Sequence, residues 1–247
     1  MYTSLSQAPC DRTLTLAKVE NPNLEMRLRR MGLFEGKQLT RLDEEVLIQP
    51  VRVRGPKGEF ILGGGMASRV VAHLDDGRKL PLAELKPGER GHVEGVICGS
   101  ALEKSLEILG AKENDEIAFV RKIPPMEYVT VVEKEGRVRL NEGLASKIWG
   151  RMGEHHLQFA CSSVREKFEV TDILGGRRVR DALAVQGVIP EKTLILEGVE
   201  PAGSLFMGKQ NHLLIISTPD GLRLFLQAME GSRIFVRVSE EDKPSAG

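Results

Sequence analysis

Three short stretches decide the reading of this chain: Leu24–Gly32 (LEMRLRRMG), Leu102–Gly110 (LEKSLEILG) and Val179–Gly187 (VRDALAVQG). Their closing glycines lie 78 and 77 residues apart. Counting back from each glycine, apolar residues stand eight and four positions earlier: Leu24 and Leu28, Leu102 and Leu106, Val179 and Leu183. Met31 and Leu109 add a third apolar position, where the last copy has Gln186. Spacing of i, i+4, i+7 puts these side chains on one stripe of a short helix. Asn21-Pro22 supplies an N-cap followed by proline at the first helical position, and Ser100-x-x-Glu103 has the form of a capping box. Gly32, Gly110 and Gly187 fall where a left-handed C-cap is needed.

The similarity runs on in register. Seven residues after each glycine comes an apolar strand position, Leu39, Ile117 and Leu194. Ala67-Ser68-Arg69-Val70-Val71 and Ala145-Ser146-Lys147-Ile148-Trp149 are again 78 apart and read as half-buried strands. Gly221–Phe225 is assigned the same place in the third copy, and Leu213–Ile216 the place of Phe60–Leu62. Upstream, Leu80-Pro81-Leu82 opens the second copy and Leu157-Gln158-Phe159 the third, with Leu5 as the first-copy counterpart. Each unit therefore reads strand, strand, short helix, then three or four strands with tight turns. The expected fold is mainly β: three tandem units, each a small barrel or sandwich with one short inserted helix, at 1–77, 78–156 and 157–238. Residues 239–247, charged and containing Pro and Ser, read as a disordered tail. The short connections Asp75–Lys79 and Gly150–His156 predict units packed on one another rather than tethered.

Composition narrows the function classes. The 247 residues contain 35 Lys and Arg and 35 Asp and Glu, a formal net charge of zero. That balance disfavours a protein whose main task is gripping nucleic acid or an anionic membrane surface. Aromatics at 4% are too few for a base-stacking platform. Nothing approaches the roughly 18 consecutive apolar residues of a membrane span, so no direct membrane insertion is expected. Three scattered cysteines, Cys10, Cys98 and Cys161, without a C-x-x-C, point to a reducing cytoplasm.

With the repeat in view, the run Leu82–Val96 (LAELKPGERGHVEGV), followed by Leu106-Glu-Ile-Leu-Gly-Ala111 and Ala145-Ser-Lys-Ile148, resembles the FeoA domain of bacterial ferrous iron transport. Leu28–Gly36 and Ala67–Val70 repeat the middle and closing elements in the first copy, and the third copy departs furthest. The resemblance implies an SH3-like barrel. It also implies a non-enzymatic accessory role beside a membrane iron permease with a GTP-binding domain. Three linked copies then raise effective concentration at a multivalent partner.

Candidate chemistry is sparse. His155, His156 and Cys161 lie within seven residues and are of types that bind first-row transition metals, ferrous iron or zinc. No other cofactor is indicated, and a buried cysteine serves equally well as a small hydrophobe. A metal-sensing or metal-storing module is the first alternative function. Gly32–Gln38 fails as a phosphate loop: three residues rather than four separate its glycines, and a strand follows. Gly63-Gly64-Gly65 reads as a hairpin turn. Ser162, Ser163 and Cys161 near His155 offer nucleophile types without a catalytic signature. Arg27, Arg29, Arg30, Arg41, Arg52 and Arg54 keep a nucleic-acid-binding barrel array as the second alternative. Against it, Glu103 and Glu107 break any repeated basic stripe.

Overall fold

The computed structural model describes residues 2–97, 99–202 and 213–238. Cys98, His212 and the expected tail at 239–247 lie outside them. The first repeat contributes β1 (Thr3–Ser4), β2 (Thr13–Val19), α1 (Pro22–Arg30), β3 (Gln38–Leu42), β4 (Val51–Gly55), β5 (Gly58–Leu62), α2 (Gly64–Ala67) and β6 (Val70–Leu74). The second has β7 (Lys79–Pro81), a 3-10 turn at Leu82–Glu84, β8 (Arg90–Val96), α3 (Ser100–Leu109), β9 (Glu116–Lys122), β10 (Met126–Val132), β11 (Gly136–Asn141), α4 (Glu142–Ala145) and β12 (Ile148–Met152). The third runs through β13 (His155–Gln158), a 3-10 turn at Phe159–Cys161, β14 (Lys167–Ile173), α5 (Arg177–Ala184), β15 (Thr193–Pro201), β16 (Leu213–Ser217), β17 (Arg223–Gln227), α6 (Ala228–Gly231) and β18 (Ile234–Val238). Apart from the 3-10 turn, which the first repeat lacks, one order of elements thus occurs three times, as the spacing predicts.

The pairing of strands is what the sequence does not announce. The sheets run β1-β18-β2-β3-β16-β17, β5-β4-β9-β8-β6-β7 and β11-β10-β15-β14-β12-β13. Each sheet takes its first hairpin and closing strand from one repeat and its other three strands from the next. The expected boundaries near 77 and 156 mark where the sequence pattern restarts, but no sheet is built from one such unit. Barrel II is continuous from β4 to β9 and barrel III from β10 to β15. Barrel I joins β1–β3 to β16–β18, so the two ends of the described chain close one sheet.

Neighbouring barrels share apolar cores. Val71 and Ile97 of barrel II are buried in the core of barrel I, while Ile215 and Phe225 of barrel I are buried in that of barrel II. Leu174 of barrel III joins the core of barrel II, and Ile61 of barrel II joins that of barrel III. Buried Gln158 bonds both backbone groups of Ile61, accepting from its N–H at 2.7 Å and donating to its carbonyl at 2.8 Å. No flexible tether intervenes, as the short connections predict.

Local chemistry explains the element ends. Asn21 accepts from the backbone N–H of Asn23 and Leu24, as an N-cap should. Ser100 departs from its expected role: it is the first residue of α3, behind Gly99, and no side chain caps that helix. Gly32, Gly110 and Gly187 take φ of 97°, 75° and 73°, the left-handed state the helix stops require.

Several assignments change. Ala67 and Ala145 end one-turn helices, with the strands starting at Val70 and Ile148. Their third-repeat counterpart is Gly231 rather than Gly221, because α6 precedes β18 as α2 precedes β6. Leu213–Ile216 accordingly matches Val51–Gly55, the first strand of the hairpin, and Trp149 corresponds to Val71 and Phe235. The insertion lies between β15 and β16, where spacing alone gives no reference point. Gly63–Gly65 opens α2 instead of forming a hairpin turn, which is made at Gly55–Gly58.

Candidate functional site

The titratable cluster with metal-ligand character lies on barrel II, at the seam with barrel I. His73 on β6 pairs directly with His92 on β8, so both side chains leave the same face. The register slips between Val71 and Ala72: Val93 pairs with Ala72 and Gly95 with Val71. Glu94 is therefore the extra residue of a β-bulge, a device that re-aims a side chain. Here the carboxylate turns to the two imidazoles. Its Oε2 lies 3.4 Å from His73 Nδ1 and 3.5 Å from His92 Nε2, and the rings meet edge to face with centroids 5.0 Å apart. The other oxygen, Oε1, accepts from Lys79 Nζ at 2.5 Å. Lys79 is itself the cross-strand partner of His73 on β7, and its backbone N–H bonds the carbonyl of Gly221 in barrel I. Glu94 is largely covered (13% exposed), whereas His73 and His92 are open to solvent by about a third. Close approach of β6 and β8 depends on Gly91, where a Cβ would lie 2.0 Å from the His73 carbonyl oxygen.

His155, His156 and Cys161 are not brought together. His155 and His156 are consecutive on β13, point to opposite faces, and are both exposed. His156 stacks on Trp149 with centroids 6.5 Å apart. Cys161 sits in the 3-10 turn after β13, and burial pushes its thiol above its ordinary range. Among the described residues, His73, His92 and Glu94 are the three His, Cys or acidic side chains whose ligand atoms converge within 4.8 Å. They escaped sequence reasoning because His73 and His92 are 19 residues apart and belong to different repeats. H-x-E at His92–Glu94 is the local signal they leave.

A second polar group lies buried in barrel III, facing barrel II. Glu142, 3% exposed, accepts from the Tyr128 hydroxyl at 3.2 Å through Oε1, while Oε2 has no partner. Removal from water pushes its carboxyl up to about 7, outweighing the Tyr128 hydrogen bond and the positive charges of Arg52 and Arg121. The Tyr128 hydroxyl is pushed up in turn, by burial first and then by the Glu142 charge.

Ser162 and Arg27, Arg30, Arg41, Arg52 and Arg54 have structural partners. Arg27 bridges to Glu103 on the helix of barrel II at 3.1 Å, and Arg30 reaches Glu113 at 3.4 Å. Arg54 and Arg52 share Glu59, and Arg41 donates to the carbonyls of Ser6 and Ala8. Ser162 donates to the carbonyl of Phe159. These arginines lie among acids or backbone acceptors, so they do not add up to a free basic stripe. Among the described residues no helix is long and apolar enough to cross a membrane.

The FeoA domain family model matches the chain twice, over residues 3–73 and 80–152. No curated protein and no solved structure matches it. The two matched blocks cover more than half the chain and coincide with the first two sequence repeats, whose order of elements the third repeat reproduces. The chain belongs to the FeoA domain family, whose role is in ferrous iron transport.

Proposed function

We propose that this protein is a non-enzymatic accessory component of ferrous iron uptake that works by surface recognition. Its partner in this reading is the cytoplasmic part of a membrane iron permease with a GTP-binding domain, and its place of action is the cytoplasmic side. The observation that carries the reading is the tandem family match, over two blocks that the fold interlocks through shared sheets. A rigid triple array suits recognition: the barrels hold fixed mutual positions through common cores, so their outer faces act together at one partner. The arginine pairings described above favour this over the nucleic-acid alternative.

The test is co-purification of the intact protein with the full-length permease from membranes, paired with ferrous iron uptake in cells lacking the protein. Co-purification together with reduced uptake supports the reading. Normal uptake, or the absence of a complex when both proteins are present in detergent, would overturn it.

A further inference from the structure

The geometry points to a binding site for a divalent first-row transition-metal ion formed by His73, His92 and Glu94, a property of barrel II that goes beyond the partner reading and does not depend on it. The donor set comes first. Two imidazoles and one carboxylate suit ferrous iron, zinc or cobalt, and leave further coordination positions for solvent. The partial exposure of both histidines gives an ion a way in.

Spacing comes second. Metal–ligand bonds of about 2.0–2.1 Å in a tetrahedral site put neighbouring donor atoms about 3.3 Å apart. The two nitrogens stand 3.4 and 3.5 Å from Glu94 Oε2. Charge-assisted N–H···O bonds close to about 2.7–2.9 Å, so these contacts are looser than direct pairing would make them. Lys79 holds Oε1, fixes the carboxylate and leaves Oε2 as its single free donor. An ammonium so near an incoming dication sets the expected affinity in the micromolar range rather than below it.

The three barrels differ at these positions. The bulge recurs in all three, leaving Glu94, Thr171 and Ala17 as the extra residue. The paired positions that hold His73 and His92 hold Arg151 and Glu169 in barrel III, joined by an ion pair at 2.7 Å, and Arg237 and Thr15 in barrel I. The fold supplies the same scaffold three times, and one copy carries ligand chemistry on it. An ordinary ion pair is sufficient to fill this place structurally, as barrel III shows.

The experiment is titration of the untagged full-length protein with zinc by calorimetry and with cobalt by visible absorption, repeated anaerobically with ferrous iron. Wild type is expected to bind one ion saturably, with a dissociation constant of about 1–100 μM. The double substitution H73R/H92E installs the residues of barrel III on the same scaffold. It should keep the fold while weakening binding about 100-fold or more, since loss even of an outer-shell partner costs about 10–100-fold. E94Q should weaken binding similarly and provides the reading if the double variant does not fold. H155A/H156A should bind as wild type does. Three results would each overturn the proposal: no saturable binding of any of the three ions up to about 1 mM, undiminished binding in a folded H73R/H92E or in E94Q, or loss of binding in H155A/H156A.

Discussion

Glu142→Gln is expected to stabilise the protein by about 3 kcal/mol at pH 8 and by less than about 1 kcal/mol at pH 5. The wild-type carboxyl is buried, with one oxygen lacking a partner, and its pKa is raised to about 7 from an ordinary 4.5, burial being the largest cause. A carboxyl with a raised folded-state pKa makes folding take up a proton between those two values. Its favourable contribution is fully present below pH 4.5 and is lost as pH rises through 7. Between pH 5 and pH 8 this loss amounts to about 2–3 kcal/mol, at 1.36 kcal/mol per pK unit. Glutamine has the same shape and no charge to bury, so it escapes the loss. Urea unfolding at the two pH values, compared between wild type and variant, isolates the effect because other titrating groups cancel. The difference in stability should be about 2–3 kcal/mol larger at pH 8 than at pH 5. An equal difference at both values, or a larger gain at pH 5, would refute the claim that a buried, charged Glu142 burdens the fold at neutral pH.

Other perturbations probe the joints between barrels. Gln158→Ala strips Ile61 of both backbone partners at the seam of barrels II and III, and should cost about 2–4 kcal/mol by denaturant titration; a cost under about 1 kcal/mol would show water replacing the amide. Gly150→Ala places a Cβ 2.1 Å from the Glu169 carbonyl oxygen and 2.4 Å from the Phe168 ring, for an expected loss of about 2–3 kcal/mol, whereas Gly65→Ala, with open space around it, should change stability by no more than about 1 kcal/mol. Arg139 occupies the place that Phe225 and Ile61 fill in the other barrels, and lies 56% exposed between Glu127 and Glu200. Arg139→Phe should expose an apolar end to the array and raise its apparent mass with concentration in light scattering relative to wild type; identical behaviour of the two proteins would deny that this charge guards an open face.

Much of the local structure was legible in the chain because it rests on short-range constraints. The i, i+4, i+7 stripes gave the long helices, and the glycines after them had to bear the left-handed backbone the stops need. The 78-residue period disclosed a β module repeated in tandem. Where the third copy carries extra residues before β16, the period lost its reference and the alignment slid from Gly231 to Gly221. Sequence alone also assigned each strand to the repeat that contains it. A strand carries the alternation that says which face is buried, but not the identity of the edge it will join, since every repeat offers chemically similar edges. Only tertiary packing decided that β4 would pair with β9, and β6 with β7 and β8, of the following repeat. The candidate metal ligands share that dependence. His73 and His92 belong to different repeats and meet across one such exchanged pairing, and Glu94 reaches them because a bulge, a property of two strands together, turns its side chain toward them.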